Sequence, residues 1–450
     1  MKPDLLARYA DRPLPRYTSY PTAPHFGAGV NDDTYREWLG ALAADEPVSL
    51  YLHVPFCRSM CWYCGCHTTI TARDEPIARY LDALHRDSEL ISGMIPHRLA
   101  ARHVHFGGGT PTLMKPAQFI NLMAALRGSF DFDGASEVAI EIDPRTLTSE
   151  MIEALGAGGV TRASLGVQSF DPIVQQAINR VQTYEETAAA TAGLRAAGVA
   201  AINFDLIYGL PHQDVGSCLE TVWQAAELKP DRFAVFGYAH VPSFKLHQRK
   251  IEEATLPGGG ERHAQAEAIA GALVDAGYVR IGLDHFALPD DPLAIASERH
   301  QLRRNFQGYT TDDCETLIGF GASAIGRLPQ GYVQNAVLIG EYQRRIAEGR
   351  SAVGKGRAFA AEDRMRAAVI ERIMCDYRVD LGDVCSSFDA DPRALLTSAS
   401  SLDGLIADGI VRREGNVVTL DDKARPLVRV LAAAFDQYLG DGPARHSRAV

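Results

Sequence analysis

The chain has 450 residues, 46% of them hydrophobic, and a formal net charge of −11. That length allows about three domains of ordinary size, and an acidic chain without a long Lys/Arg run argues against a nucleic-acid partner. The start MKPDLLARYADRPL lacks an apolar signal core, and no stretch approaches the ~18 consecutive apolar residues of a membrane span.

Residues 1–45 are rich in Pro, Tyr and Arg, as in PLPRYTSYPTAPHFG, and read as an extended, turn-rich arm. Six strand-like segments follow: SLYLHV, RHVHF, EVAIEI, RASLGVQ, AINFDLIY and FAVFGYA. Helical stretches such as IARYLDALHRDSELI and YEETAAATAGLRAAG lie between them, an alternation that predicts a parallel sheet or barrel. One face of these strands is small or polar. Tyr51 and His53 alternate with Leu50, Leu52 and Val54; His103 and His105 alternate with Val104 and Phe106. Ser164, Gly166 and Gln168 form one face of the fourth strand, and Ala201, Asn203 and Asp205 one face of the fifth. A closed eight-stranded barrel fills its interior with branched apolar side chains. The expected fold is therefore α/β, an incomplete (βα)6 barrel around an occupied cavity. The catalytic domain is expected over 46–355, and a mostly helical, winged-helix-like domain over 356–450, where LIADGIVRREGNVVTL reads as a helix and a small hairpin. That tail has no basic face, so packing is favoured over DNA binding.

Cys57, Cys61, Cys64 and Cys66 crowd the loop after the first strand, at the end where barrel enzymes carry their chemistry. The remaining cysteines, Cys218, Cys314, Cys375 and Cys385, are scattered, which fits a reducing cytoplasm. A zinc knuckle or a redox dithiol are the competing readings of the loop. Zinc normally takes a second ligand pair further along the chain, and none stands out; a redox pair does not need four thiols. Three close thiolates suit three irons of a 4Fe-4S cube and leave the fourth iron open for a chelating cofactor. On this reading Cys66 is not a ligand, since it would close the open position. GGGTPT at 107–112 ends the second strand; it lacks the GK[ST] of a phosphate loop and reads as a turn that lets the backbone approach a ligand. Glu141, Gln168, Arg180 and Asp205 follow in order near strand ends, where they suit ribose hydroxyls and an amino-acid zwitterion. Each alone reads equally as a structural polar residue.

The C-x3-C-x2-C loop resembles that of radical S-adenosylmethionine enzymes. With PRYTSYPTA, the Cys-Gly-Cys ending, GGGTPT, IEIDPR, GVQSF, NFDLIYGLP, GYAHVP, DHFALPDD and RNFQGYTT, nearly the whole chain resembles the oxygen-independent coproporphyrinogen III oxidase (dehydrogenase) family. The resemblance implies a cytoplasmic, monomeric enzyme of haem and porphyrin biosynthesis. It implies a 4Fe-4S cluster on Cys57, Cys61 and Cys64, and two S-adenosylmethionines. Tyr51, Tyr63, Glu141 and Ile325 would line the first; Gly108, Gly109, Thr110, Gln168, Arg180, Asp205 and Ala239 would line the second. Where Tyr63 stands, family members often have Phe, and either ring can stack on adenine. The implied reaction turns two propionates of coproporphyrinogen III into vinyl groups through a 5′-deoxyadenosyl radical, giving protoporphyrinogen IX. It needs an external one-electron donor, flavodoxin- or ferredoxin-like. Arg16, Arg303 and Arg304 are the candidate propionate contacts, with Tyr17 and Tyr20 of the arm packing on the macrocycle. A haem-binding chaperone and a haem-modifying radical enzyme are the alternatives on this scaffold; the Cys-Gly-Cys ending and RNFQGYTT speak against the chaperone.

Overall fold

The computed structural model describes residues 8–9 and 12–440. They group into two compact units, each discontinuous in sequence. Phe26–Pro257 and Asp312–Ala358 form one; the chain up to His25, Gly258–Thr311 and the chain from Phe359 form the other. No helix among the described residues is long and apolar enough to cross a membrane.

The first unit is the barrel. Its strands are β1 (Val48–Val54), β2 (Ala101–Gly108), β3 (Glu137–Ile142), β4 (Arg162–Gln168), β5 (Ala201–Tyr208) and β6 (Arg232–Gly237). Each pairs in parallel with the next. The crossover helices are α1 (Glu75–Ser92), α2 (Pro116–Ser129), α3 (Ser149–Ala157), α4 (Tyr184–Ala196) and α5 (Val215–Glu227). Their starts are written locally. Proline occupies the first turn of α1 and α2, and Thr183 with Glu186 makes a reciprocal capping box on α4. On the free side of β1 runs a parallel strand, Thr316–Phe320, followed by the antiparallel Ile325–Leu328, Gly331–Asn335 and Val353–Ala358. Among the described residues no ladder joins Val353–Ala358 to β6, so the six-stranded βα barrel is incomplete.

The apolar face of each strand lies under the helices: Leu50, Leu52, Phe106, Leu165, Ile202 and Phe204 are all buried. The polar face points inward, and many of its groups pair with one another, as groups withdrawn from water tend to. Ser49 Oγ donates to Asp312 Oδ2 at 2.6 Å, and Arg162 Nη2 pairs with Glu137 Oε2 at 2.9 Å. Ser164 Oγ donates to Asp205 Oδ2 at 3.0 Å, and Asn203 Nδ2 to Asp205 Oδ1 at 2.8 Å.

The second unit is helical with a small sheet. Helix Asp363–Asp376 leads to strand Arg378–Asp380, helices Leu381–Ser386, Pro392–Ser398 and Leu402–Ala407, and the hairpin Val411–Glu414 with Val417–Leu420. The three strands form one antiparallel sheet, in the order helix, strand, helices, wing of a winged-helix-like domain. One feature of the arm differs from expectation. Tyr17 and Tyr20 do not present their rings for a macrocycle: they are 4% and 3% exposed and belong to this unit's core, with Leu14, Val369, Ile373 and Phe435. The Tyr17 hydroxyl donates to Asp436 Oδ2 at 3.0 Å. The core had apolar surface to cover, and the aromatic arm supplies the cover.

Candidate active site

Thr110, Arg145 and Arg180, which meet the sulfurs of the cysteine loop, come from the segments that follow β2, β3 and β4. Phe56–Cys57 leaves β1 and pairs with Thr69–Ile70, so the loop is closed at its base. Thr68 Oγ1 and Thr110 Oγ1 donate to Cys57 Sγ at 3.3 and 3.4 Å. Burial pushes the Cys57 thiol up, and these two hydroxyls work against it. Cys61 Sγ accepts from Arg145 Nη2 and Arg180 Nη1, both at 3.6 Å. Asp143, just beyond β3, holds both guanidiniums: Arg145 Nη2 at 2.6 Å and Arg180 Nη2 at 3.3 Å. Burial works against the charge on Arg180, but Tyr63, Asp143 and Cys61 outweigh it and raise its pKa, so it stays a cation. The Cys66 N–H donates to the Cys64 sulfur at 3.4 Å, and the closeness of Cys66 draws the Cys64 thiol below its ordinary value while Cys64 holds the Cys66 thiol up.

The glycine turn packs against this loop. Gly109 N–H donates to the Val54 carbonyl at 2.9 Å and Thr110 N–H to the Phe56 carbonyl at 2.7 Å. A Cβ on Gly109 would lie 2.5 Å from the Phe56 oxygen, so only glycine lets the two backbones meet. Gly108 sits at φ +117° with the His53 ring where a side chain would go, and its N–H donates to Glu141 Oε2 at 3.0 Å. His105 Nε2 meets the other Glu141 oxygen at 3.2 Å. Partial burial works to raise the Glu141 carboxyl; the hydrogen bonds from His105 and Gly108 prevail and hold it below its ordinary value. Tyr51 lies beside His105, ring centroids 5.9 Å apart, and its hydroxyl bonds His53 Nδ1 at 2.9 Å. Gly319 is the register partner of Tyr51, and a Cβ there would lie 2.9 Å from the Ile325 carbonyl oxygen, which brings the Ile325 backbone to the neighbourhood of Tyr51. Tyr51, His105 and Glu141 are thus linked, the Ile325 backbone lies close to the strand partner of Tyr51, and Gly108, expected at the second S-adenosylmethionine, bonds Glu141 of the first set.

Arg180, Gln168, Asp205 and Ala239 follow round the strand ends. Arg180 Nη2 donates to the Gly166 carbonyl at 2.5 Å. Gln168 closes β4 in a left-handed conformation, φ +67°, and its Oε1 is buried without a partner. Asp205 lies one strand on, held by Ser164 and Asn203. Gln248 Nε2 donates to both the Ala239 and Tyr63 carbonyls, at 3.3 and 3.0 Å, and so links Ala239 to the cysteine loop. Arg16, Arg303 and Arg304 lie in the helical unit. Arg303 pairs there with Glu371 at 3.4 Å, and the Arg304 guanidinium lies 4.5 Å from the Tyr309 ring centre.

Several residues at the loop escaped the sequence reading: Thr68, Asp143, Arg145 and His247; His53 stands on the polar strand face in that reading, without a role. Asp143 and Arg145 stand in the quoted IEIDPR, and Pro144 between them starts a short turn that aims both side chains back. His247 carries no motif.

The Radical SAM superfamily model matches residues 51–222. The oxygen-independent coproporphyrinogen III oxidase of Bradyrhizobium diazoefficiens is 58% identical over 450 residues, covering 100% of both chains. The chain belongs to the oxygen-independent coproporphyrinogen III oxidase family. The family member from Escherichia coli is 38% identical over 94% of this chain and 93% of its own. The solved structure of the Escherichia coli coproporphyrinogen III oxidase, described as a radical SAM enzyme, superposes with a TM-score of 0.90 at 36% identity, covering 94% of this chain and 97% of that one.

Membership brings a 4Fe-4S cluster and S-adenosylmethionine with it. The residues present suit both. Hydroxyl and guanidinium donors already aim at Cys57 and Cys61 sulfurs, as thiolate ligands require. The orphaned Gln168 oxygen and the low-held Glu141 carboxylate offer acceptors to an ammonium or to ribose hydroxyls.

Proposed function

We propose that this chain converts coproporphyrinogen III to protoporphyrinogen IX without oxygen, removing the carboxyl groups of two propionates. Cys57, Cys61 and Cys64 hold the cluster. Tyr51, Tyr63, Glu141 and Ile325 line one S-adenosylmethionine; Gly108, Gly109, Thr110, Gln168, Arg180, Asp205 and Ala239 line a second. The observation that carries the reading is the convergence of the cysteine loop, the Gly107–Thr110 turn and the Glu141/Asp143 pair at the ends of β1, β2 and β3.

At each propionate a hydrogen atom leaves the β-carbon; carbon dioxide and one electron then leave, and a vinyl group remains. Bound together, the cluster and S-adenosylmethionine supply the carbon radical that takes this hydrogen. The chain's part is placement and exclusion of water. Arg145 and Arg180, fixed by the shared Asp143, set the charge around Cys61. Glu141, fixed by Gly108 and His105, meets a positive or hydroxylic group without having to reorganise.

The test is anaerobic reconstitution followed by reaction with coproporphyrinogen III under chemical reduction. Two carbon dioxides per protoporphyrinogen IX are expected. A fully loaded protein that cleaves S-adenosylmethionine but leaves coproporphyrinogen III unchanged would overturn the assignment. Equilibrium dialysis should give two bound S-adenosylmethionines, and fewer in Asp205→Asn.

A further inference from the structure

From Arg232 to Ile251 the sequence contains no Asp or Glu, in a chain of net charge −11. The end of this stretch, FKLHQRK at 244–250, belongs to none of the motifs above. Its short turn, Leu246–Lys250, and the residue before it grip the cysteine loop by the backbone. His247 Nε2 meets the Cys64 carbonyl at 2.8 Å, Lys245 Nζ donates to the Cys66 carbonyl at 2.9 Å, and Gln248 Nε2 to the Tyr63 carbonyl at 3.0 Å. Lys250 Nζ lies 5.4 Å from the Trp62 ring centre. Gln248, at the root of the grip, is 1% exposed. The sulfurs of Cys57 and Cys61 are met instead by Thr68, Thr110, Arg145 and Arg180. The segment thus meets the loop through its carbonyls, not through its thiols.

The outward side of the segment is apolar and cationic. Phe244 and Leu246 are 61% and 62% exposed, and Arg249 and Lys250 are exposed beside them. The nearest acids along the chain are Glu252 and Glu253, and Glu253 faces His240 at 3.2 Å. A lone exposed apolar residue needs no explanation. Two of them within three residues, with Lys245, Arg249 and Lys250 in the same seven-residue stretch bonded directly to the cluster loop, suit the small, weak, charge-steered encounters typical of redox partners.

We propose that residues 244–250 are the landing surface for the reaction's electron donor, a small carrier protein with an acidic rim around an apolar cofactor edge. This rests on the function proposed above and names its partner. In the encounter the carrier loses one electron and the cluster gains one; no bond forms or breaks. The His247–Cys64 hydrogen bond puts a single side chain between the landing surface and a cluster ligand, and electron transfer is fastest across the shortest gap. A tetracarboxylate macrocycle also has the charge for this patch, but it reacts on the thiol side of the loop, where the hydrogen acceptor is held.

The test uses reconstituted enzyme, wild type and Phe244→Ser/Arg249→Glu, with two probes: flavodoxin hydroquinone and a reduced plant-type ferredoxin. Carrier affinity is followed by calorimetry at low and high salt, and cluster reduction by stopped-flow bleaching. In the wild type at least one carrier should bind more weakly as salt rises and reduce the cluster. In the variant that reduction should slow about tenfold or more at low salt, while iron content and dithionite-driven turnover stay unchanged. Carrier-driven reduction at the wild-type rate in the variant overturns the proposal, as does failure of both carriers to reduce the wild-type cluster. A raised coproporphyrinogen KM with dithionite as reductant would assign the patch to the substrate instead. Failure of the functional reading shows separately, as absence of decarboxylation in the wild type under dithionite.

Discussion

Cys66 is fixed by its backbone: its N–H donates to Cys64 Sγ at 3.4 Å and its carbonyl accepts from Lys245 Nζ. Unlike the sulfurs of Cys57 and Cys61, its sulfur draws no hydroxyl or guanidinium among the described residues, and three ligands at 57, 61 and 64 leave the fourth iron open. Serine at Cys57, Cys61 or Cys64 should therefore abolish iron and sulfide retention after anaerobic reconstitution, whereas Cys66→Ser should keep both. Equal loss in Cys66→Ser and Cys57→Ser would make Cys66 a ligand. Asp143 is tested through its two arginines. Asp143→Asn withdraws their shared counter-charge, and the variant should load cluster but cleave S-adenosylmethionine about 10-fold or more slowly, the scale expected when a fixed electrostatic partner is lost. The candidate ligands were legible because their spacing is local: three thiols lie within eight residues. Arg145 was not, because it meets Cys61 across 84 positions and only the fold brings the two together.

Helix α1 shows how an element can serve the site from behind. Tyr80 and Asp87 are seven residues apart and so share a face. The Tyr80 hydroxyl donates to the His53 carbonyl at 2.7 Å and accepts from Ala322 N–H at 2.8 Å. Asp87 Oδ2 accepts from Gly321 N–H and from the Tyr342 hydroxyl, both at 2.9 Å. The helix thus pins the end of β1 to the turn that leads into Ile325. Burial pushes the Asp87 carboxyl from an ordinary 3.8 up to about 7. Between those values the folded protein keeps a proton that the unfolded chain has released, so stability falls as pH rises through that window. The denaturation midpoint should drop between about pH 4 and pH 7, and Asp87→Asn, which cannot ionise, should flatten that drop. An equal drop in both proteins would remove Asp87 as its source. At this scale the strands were the legible part. EVAIEI, RASLGVQ and AINFDLIY coincide with β3, β4 and β5, because a polar cavity on one side and helices on the other write a period of two into each. The reading of FAVFGYA runs past Gly237, where β6 ends, since apolar residues continue into a turn that buries Tyr238. The Tyr80–Asp87 network was illegible: its partners lie up to 255 positions away.

In the whole molecule the arm is the segment whose role changes most. Tyr17 and Tyr20 sit in the helical unit's core, so Tyr17→Ala should cost that unit about 3–5 kcal/mol, the usual price of truncating a buried aromatic. Deleting residues 1–24 should expose the same core to proteolysis. Iron retention should survive the deletion, because all four loop cysteines and the groups bonded to their sulfurs belong to the barrel unit. Loss of iron on deletion would show that the barrel depends on the arm.

The interleaving of the two units sets a timetable for biogenesis. Translation runs at ~5–20 residues per second, and β1 emerges among the first sixty residues, yet its flanking strand Thr316–Phe320 is made far later. Until then the Gly321 turn is missing from Tyr80, and His67 at the end of the cysteine loop lacks the Val337 carbonyl that it meets at 3.2 Å. The helical unit waits longer still: Tyr17 must find Asp436 across 419 positions. The nascent chain therefore displays oxidisable thiols on an unfinished scaffold for most of its synthesis. Delivery of iron and sulfide belongs after the barrel unit is completed by Asp312–Ala358, late in synthesis, and cells making this protein in air should accumulate chains oxidised before they could ever be loaded.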